Sequence, residues 1–526
     1  MKRKHSLQNI LLICISCATF FSCNKDELFQ NPKNDNYRNL NRSSAKPAAG
    51  KTFYALTSAN ELVIYETGSQ MAEKSSMALN GFASGEKLLA IDFRPATGQL
   101  YGVSNLSRIY VINLNSGLAS PIGSGPFTPN IEGSQVGFDF NPTVDRIRLV
   151  TNTGQNLRLN PETGSVVSMD GNINPSSSSV TSVAYTNSFA GSATTTLYDI
   201  DVASDKLFIQ NPPNSGALVE VGSLGVQAVG EAGFDISADN STAIAAIFGR
   251  GYELDQKEMS NGNKMRFYYI DLGTGEATNA GKTEREIIGI AIPTNPVAYA
   301  VNDMNQLLIM DPSTGSTITK NIAGLDGGDM IVGIDMRPAT SQLYALGQNS
   351  RLYTINMANG TATPVGSLFG TLLDGTNFGF DFNPTVDRIR VVSNTGQNLR
   401  LNPITGAIAM VDPPLNPGNP FVDAAAYINS FVGATSTILY DIDTNTDKLY
   451  QQNPANAGTL INEMPLGINI EAGNGFDIGG TSNKAWGIFK SGGNTGLYNV
   501  DLNTGNTSLV MSVNQNIKGF ALGLGF

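Results

Sequence analysis

Apolar residues in this chain come in short runs, separated by clusters of Gly, Asn, Asp, Pro, Ser and Thr. Runs this short, bounded by turn residues, predict strands rather than helices. Ile109-Tyr110-Val111-Ile112 is apolar on both faces, and Leu352-Tyr353-Thr354-Ile355 is so in large part. A strand apolar on both sides is expected between two packed layers, not on a solvated sheet. Other runs alternate: Phe138 and Phe140 share one face and leave Asp139 on the other. Beyond the first residues no segment combines a helix cap with helical periodicity, so an all-β fold is expected.

The pattern repeats. Residues 137–161 read GFDFNPTVDRIRLVTNTGQNLRLNP, and residues 379–403 differ from them only by Val391 for Leu149 and Ser393 for Thr151. The same offset of 242 residues (379 against 137) aligns Tyr198-Asp199-Ile200-Asp201 with Tyr440-Asp441-Ile442-Asp443, and Gly233-Phe234-Asp235 with Gly475-Phe476-Asp477. The body is therefore a tandem duplication, 51–293 followed by 294–526. Within each half, a strand ending in Asn or Asp leads through a short turn to Gly, as at Asn113, Asn160, Asn211, Asp271 and Asp311. These turns recur roughly every 48 residues, a spacing that suits units of about four strands and predicts a β-propeller with five units per half. Each half starts with a strand pair lacking an inner partner (53–56 with 62–65; 297–301 with 307–310) and ends with a lone apolar strand (287–292; 517–522). Two tandem five-bladed propellers are the expected reading. A single ten-bladed ring, with 293–296 as a hairpin loop, is the alternative.

GFDFNPTVDRIR and NTGQNLRLNP resemble the family known as domain of unknown function 4394. The resemblance covers both halves. It implies a β-propeller-like repeat in a secreted or surface bacterial protein, and brings no activity, ligand or catalytic residue with it.

The N-terminus has a different character. Lys2-Arg3-Lys4 precedes an apolar stretch from Leu11 to Phe21, too short for a stable membrane span. Ser22-Cys23 resembles the cleavage box of bacterial lipoproteins. Residues 1–22 are then a signal peptide, Cys23 the lipid attachment site, and 23–50 a polar tether. Asn24-Lys25-Asp26-Glu27 resembles the surface-export signal of lipoproteins in Bacteroides- and Flavobacterium-type bacteria. An outer-membrane or cell-surface location, with the membrane as a partner through the lipid, is expected.

That processing changes the available chemistry. The only His is His5 and the only Cys are Cys14, Cys17 and Cys23. A chain starting at a lipidated Cys23 has no Ser-His-Asp or Cys-His nucleophile system and no thiolate or imidazole metal ligand. Its formal net charge of −11 for the whole chain becomes more negative once the basic start is removed, which argues against nucleic acid as a partner.

Carboxylates, amides, Tyr, Lys and Arg remain. Strand alternation places Asp139, Arg148 and Arg158 on one side of adjacent strands, and Asp381, Arg390 and Arg400 likewise. They form either a basic pocket for a carboxylate or sugar, or a salt-bridged ladder between sheets. Inner-strand acids recur as Asp92, Asp139 and Asp235, then Asp335, Asp381 and Asp477. Converging carboxylates suit calcium, the one metal considered, although pairing with Arg or backbone donors is the plainer expectation. Asp199, Asp201 and Asp205, with Asp441, Asp443 and Asp447, lack the Gly and terminal Glu of a calcium loop. The turns holding Asn152 and Gln155, and Asn394 and Gln397, are candidate ligand contacts or simply tight hairpins. Trp486 has no Trp counterpart in the first half, where Ala246 is taken as its aligned residue. The functional expectation is a binding or adhesion module for a glycan or a surface protein. The alternative is a calcium-assisted lactonase or sugar-processing hydrolase.

Overall fold

The computed structural model describes residues 50–68, 71–251 and 264–526, all within one compact unit, Ser43–Phe526. The expected signal peptide, Cys23 and the expected tether up to residue 49 lie outside the described residues. Among those described, the strands form ten four-stranded antiparallel sheets, and no helix is long and apolar enough to cross a membrane. The apolar runs sit in the three inner strands of each sheet. In the sheet that starts at Leu88–Phe93, the next strands Leu100–Ser104 and Ile109–Ile112 are buried throughout. Outer strands such as Ala72–Ala78 face solvent. Burial on both faces comes from sheets packing on one another, as the two-sided apolar runs require.

Strand pairing shows how each half ends. Ile287–Ala291, the last strand of the first half, pairs with Thr52–Thr57, the first strand of the same half. Ile517–Leu522 pairs with Ala298–Asn302 in the same way. The innermost strands also touch in succession: Leu88–Phe93 with Val136–Asn141, that with Val180–Tyr185, then Val226–Ile236, then Ile287–Ala291, which returns to Leu88–Phe93. The second half repeats this from Ile331–Arg337 through Phe378–Asn383, Val422–Tyr427, Glu471–Ile478 and Ile517–Leu522 back to Ile331–Arg337.

The Gly-Phe-Asp motif explains this close approach. A Cβ on Gly137 would lie 2.9 Å from the Val183 backbone nitrogen of the next inner strand, and one on Gly379 would lie 2.7 Å from that of Ala425. Only glycine lets the two backbones come so near. The following Phe138 and Phe380 fill the apolar clusters on either side. The Asn-to-Gly turns behave as their composition predicts. Asn160 Oδ1 accepts from the Glu162 amide at 2.8 Å, and Gly164 takes φ +68° where the chain reverses.

The halves also meet each other. Tyr299 donates its hydroxyl proton to the Ala96 carbonyl at 2.8 Å, Ser341 Oγ to Gln99 Oε1 at 2.8 Å, and Gln342 Nε2 to Glu162 Oε2 at 3.1 Å. The turn of the first half that carries Arg94-Pro95-Ala96-Thr97 is thus covered by the second half.

Candidate functional site: buried acids and two surface grooves

The inner-strand acids converge. Asp92, Asp139 and Asp235 are buried, and each offers a carboxylate oxygen within 4.8 Å of the others. Asp335, Asp381 and Asp477 do the same. Each acid also ties its strand to the next. Asp92 accepts from its neighbour Phe93 at 2.7 Å and, across the sheets, from Phe140 at 2.9 Å. Asp139 accepts from the Tyr185 amide at 3.2 Å, and Asp477 from Ile478 and Leu522 at 2.6 Å each. The residues preceding Tyr185 and Ile292 in this ladder are Ala184 and Ala291, both fully buried. Five inner strands thus carry Asp, Asp, Ala, Asp, Ala, and the second half repeats the order with Ala426 and Ala521.

Three buried carboxylates cannot all ionise without a counter-charge. Burial, and then the Asp235 carboxylate, push Asp92 well above the usual range; burial, then Asp92 and Asp235, do the same to Asp139. Burial pushes Asp235 up to about 7, with the Ile292 and Ile236 amides pulling the other way. Asp335, Asp381 and Asp477 behave alike, the last also reaching about 7. The triads can share protons or hold a hard cation, since every donor is oxygen.

The register brings Asp139, Arg148 and Arg158 directly opposite one another, as strand alternation predicts. The arginines are spent elsewhere. Arg148 donates to Asn156 Oδ1 at 2.6 Å, to Asp170 at 2.7 Å and to Asn214 at 2.8 Å, and Arg158 grips both oxygens of Asp170. Arg390 and Arg400 close on Asp412 identically, with Asn398 and Asn456. This is a salt-bridged ladder within one sheet, tied to the next by Asn214 or Asn456. Its carboxylates, Asp170 and Asp412, were missed because they follow an outer strand and lie outside the repeated motif. Burial opposes charge at Asp170, yet the Arg158, Arg148 and Ser168 bonds bring it below its ordinary value. Asp199 and Asp441 lie nearby, fully buried, and neither oxygen of either accepts a hydrogen bond from the protein. Burial raises Asp199 well above its usual value and Asp441 to about 8, against the pull of Arg148 and Arg390. Burial thus favours the neutral form of both acids.

The polar turns are internally engaged. Asn152 Oδ1 accepts from the Ser134 and Gln135 amides, and Gln155 bridges the Glu132 amide and the Asn130 carbonyl. Asn394 and Gln397 repeat these bonds with Thr376, Asn377, Asp374 and Leu372. Trp486 pairs opposite Asp477 as Ile244 pairs opposite Asp235, so its counterpart is Ile244 and not Ala246. The expected alignment overlooked that the shared offset places residue 244, not 246, against it.

Two open grooves lie between the fourth and fifth sheets of the halves. In the first, a cleft of about 510 Å³ is lined by Phe248, Lys264, Met265, Thr283, Glu284, Arg285 and Glu286, and reaches Gln135 beside the Asn152 turn. In the second, a cleft of about 520 Å³ is lined by Asn494, Thr495, Ser512, Val513, Asn514, Gln515 and Asn516. Strand register makes them counterparts: Ile270 pairs with Ala277 in the first half as Val500 pairs with Thr507 in the second. Lys264 then matches Asn494, and Glu284-Arg285-Glu286 matches Asn514-Gln515-Asn516. Short apolar runs gave no sign of either groove.

A family model described as domain of unknown function (DUF4394) matches residues 61–291 and again 304–521. The chain belongs to this family. Both DUF4394 copies include their acid triad, arginine ladder and most of their groove. A comparison with curated proteins returns no match. Among solved structures, the chain is similar to PorZ, a surface component of the type-IX secretion system of Porphyromonas gingivalis, at 12% identity and TM-score 0.25 over 90% of this chain. It spans 61% of that protein's length. A Lactobacillus plantarum protein matches 63% of this chain at 15% identity and TM-score 0.27, with 95% of its own length covered.

Proposed function

We propose that this DUF4394 protein is a lipid-anchored surface module that binds a glycan or a protein, built as two tandem five-bladed propellers. The propeller reading is supported by the pairing of the last strand of each half with its own first strand. The observation that carries the binding role is the pair of equivalent open grooves. They offer exposed side chains, whereas the arginine ladders and polar turns spend their bonds internally. Phe248, 37% exposed at the first groove, provides an apolar face beside Lys264 and Arg285. The calcium-assisted hydrolase rests on the acid triads, and their burial beneath the inner strands speaks against substrate access. Residues 23–526 probed against glycan arrays and surface-protein extracts are expected to retain a partner, and Phe248→Ala to weaken a partner held at the first groove by about tenfold. Turnover of a lactone that depends on calcium and is lost in Asp139→Asn would replace this reading. Anchoring is tested separately: a fatty-acid probe labels the wild type and not Cys23→Ala.

A further inference from the structure

The two grooves occupy the same place in their halves but differ in chemistry. In the first, Arg285 and Glu286 are held by neighbouring side chains. Arg285 donates to Glu61 at 2.7 Å and to Glu73 at 2.8 Å, and Ser58 Oγ donates to Glu286. In the second, all three charged positions are amides. Gln515 Oε1 accepts from Asn302 Nδ2 at 2.6 Å, and Asn516 Nδ2 donates to Asp303 at 3.0 Å. Those bonds fix both amide orientations. They leave the Gln515 nitrogen as a donor and the Asn516 oxygen as an acceptor on adjacent residues. Asn494, Asn514, Thr495 and Ser512 add further groups able to donate and accept. Met304, 64% exposed, and Val513 contribute apolar surface to the same cleft. A second cleft of about 220 Å³, lined also by Lys490 and Lys518, shares Asp303, Thr495 and Asn516 with it and extends its length.

We propose that this second groove binds a neutral carbohydrate. Each sugar hydroxyl donates and accepts one proton, so a vicinal diol matches an adjacent amide donor and acceptor. The C–H face of a pyranose suits Met304 and Val513. A charged ligand has no ion-pair partner among the three amides that replace Glu284, Arg285 and Glu286, while Asp303 is engaged by Asn516 and Lys490 by Glu471. The volume of about 520 Å³ lies in the range of small-ligand clefts. The proposal rests on the binding-module reading and narrows it to one half and one ligand class.

The test uses residues 23–526 and calorimetric titration with neutral oligosaccharides cut from β-glucan, mannan and xylan. One of the three is expected to bind. Gln515→Ala with Asn516→Ala should weaken it at least tenfold, with unchanged thermal unfolding and little dependence on salt. Gln515→Glu with Asn516→Asp, which brings carboxylates into the groove, should weaken it similarly. Lys206→Ala, which removes an exposed ion pair with Glu220 outside both grooves, should leave it unaltered. Binding that survives both double variants, or is lost equally in Lys206→Ala, overturns the proposal while leaving a binding module in place. Failure of all three oligosaccharides, with a protein or charged glycan retained on arrays, overturns it in the same way. Failure to retain any partner overturns the binding-module reading as well.

Discussion

Arg94 and Arg337 begin the same Arg-Pro-Ala-Thr turn in the two halves, yet they are held differently. Both fork onto one carboxylate, Arg94 onto Asp145 and Arg337 onto Asp387, and both reach a tyrosine hydroxyl, Tyr101 or Tyr344. Arg94 is wholly buried, donates at 3.1 Å to the Ser341 carbonyl of the other half, and lies 3.4 Å from Glu162. Arg337 has no such second carboxylate, because the residue equivalent to Glu162 is Ile404, 72% exposed. The local motif is duplicated, but its energetic weight is set by what covers it. One copy was recruited into the contact between halves, and the other, buried within its own half, was not.

Removing each arginine should expose that difference most strongly. Arg94→Ala leaves the buried Asp145, and the half-buried Glu162, without their cation, and an uncompensated buried charge costs about 3–5 kcal/mol. Arg337→Ala leaves Asp387 partly exposed, where water replaces the lost bonds, at about 1–2 kcal/mol. Urea unfolding of the two variants measures the gap. Equal losses would break the comparison and show that the contact between halves adds nothing to the Arg94 site.

The acid triads test where the halves should agree. A carboxyl group whose folded pKa is raised binds more protons in the native state than in the unfolded one. Stability from Asp235 and Asp477 is therefore fully present below about pH 4 and is lost as pH rises toward about 7. Each unit of difference is worth about 1.4 kcal/mol, so a decline of a few kcal/mol per triad is expected between those limits. Asp139→Asn and Asp381→Asn each keep an acceptor for the Tyr185 or Tyr427 amide while removing one charge. Each should flatten the decline to a similar extent, read from thermal melts at pH 5 and pH 8 with chelator present. Should added calcium reverse the decline in the wild type but not in these variants, the triads hold the ion.

Much of this fold could be read in advance because its signals are local and repeated. Two-sided apolar runs such as Ile109-Tyr110-Val111-Ile112 marked the packed layers, and the unpaired strands 287–292 and 517–522 marked how each half ends. The shared face of Asp139, Arg148 and Arg158 followed from strand alternation alone. What those residues bond to did not. Asp170 and Asn214, which take up Arg148, come from an outer strand end and from a neighbouring sheet, and pairing across sheets leaves no period in the sequence. The grooves escaped for a related reason. Glu284-Arg285-Glu286 and Asn514-Gln515-Asn516 share position but not chemistry, so identity between the halves, the guide to candidates, passed over them.

The smallest effect concerns the turns that identity did select. Asn152 Oδ1 serves two amides, Ser134 at 3.1 Å and Gln135 at 3.3 Å, and Asn394 Oδ1 serves Thr376 at 2.9 Å and Asn377 at 3.3 Å. Neither turn touches the other half through these bonds. Unlike the arginines, the two asparagines should therefore cost the same when lost, about 1 kcal/mol each for Asn152→Ala and Asn394→Ala. Their sum should be additive in the double variant, since the sites share no partner. Asn394 also donates to Thr376 Oγ1 at 3.1 Å, an exposed bond that adds little. Chemical unfolding of the three variants decides the matter. Matched, additive losses fit hairpin-holding residues. Unchanged stability, with weaker retention of a partner on arrays, would instead make these asparagines ligand contacts.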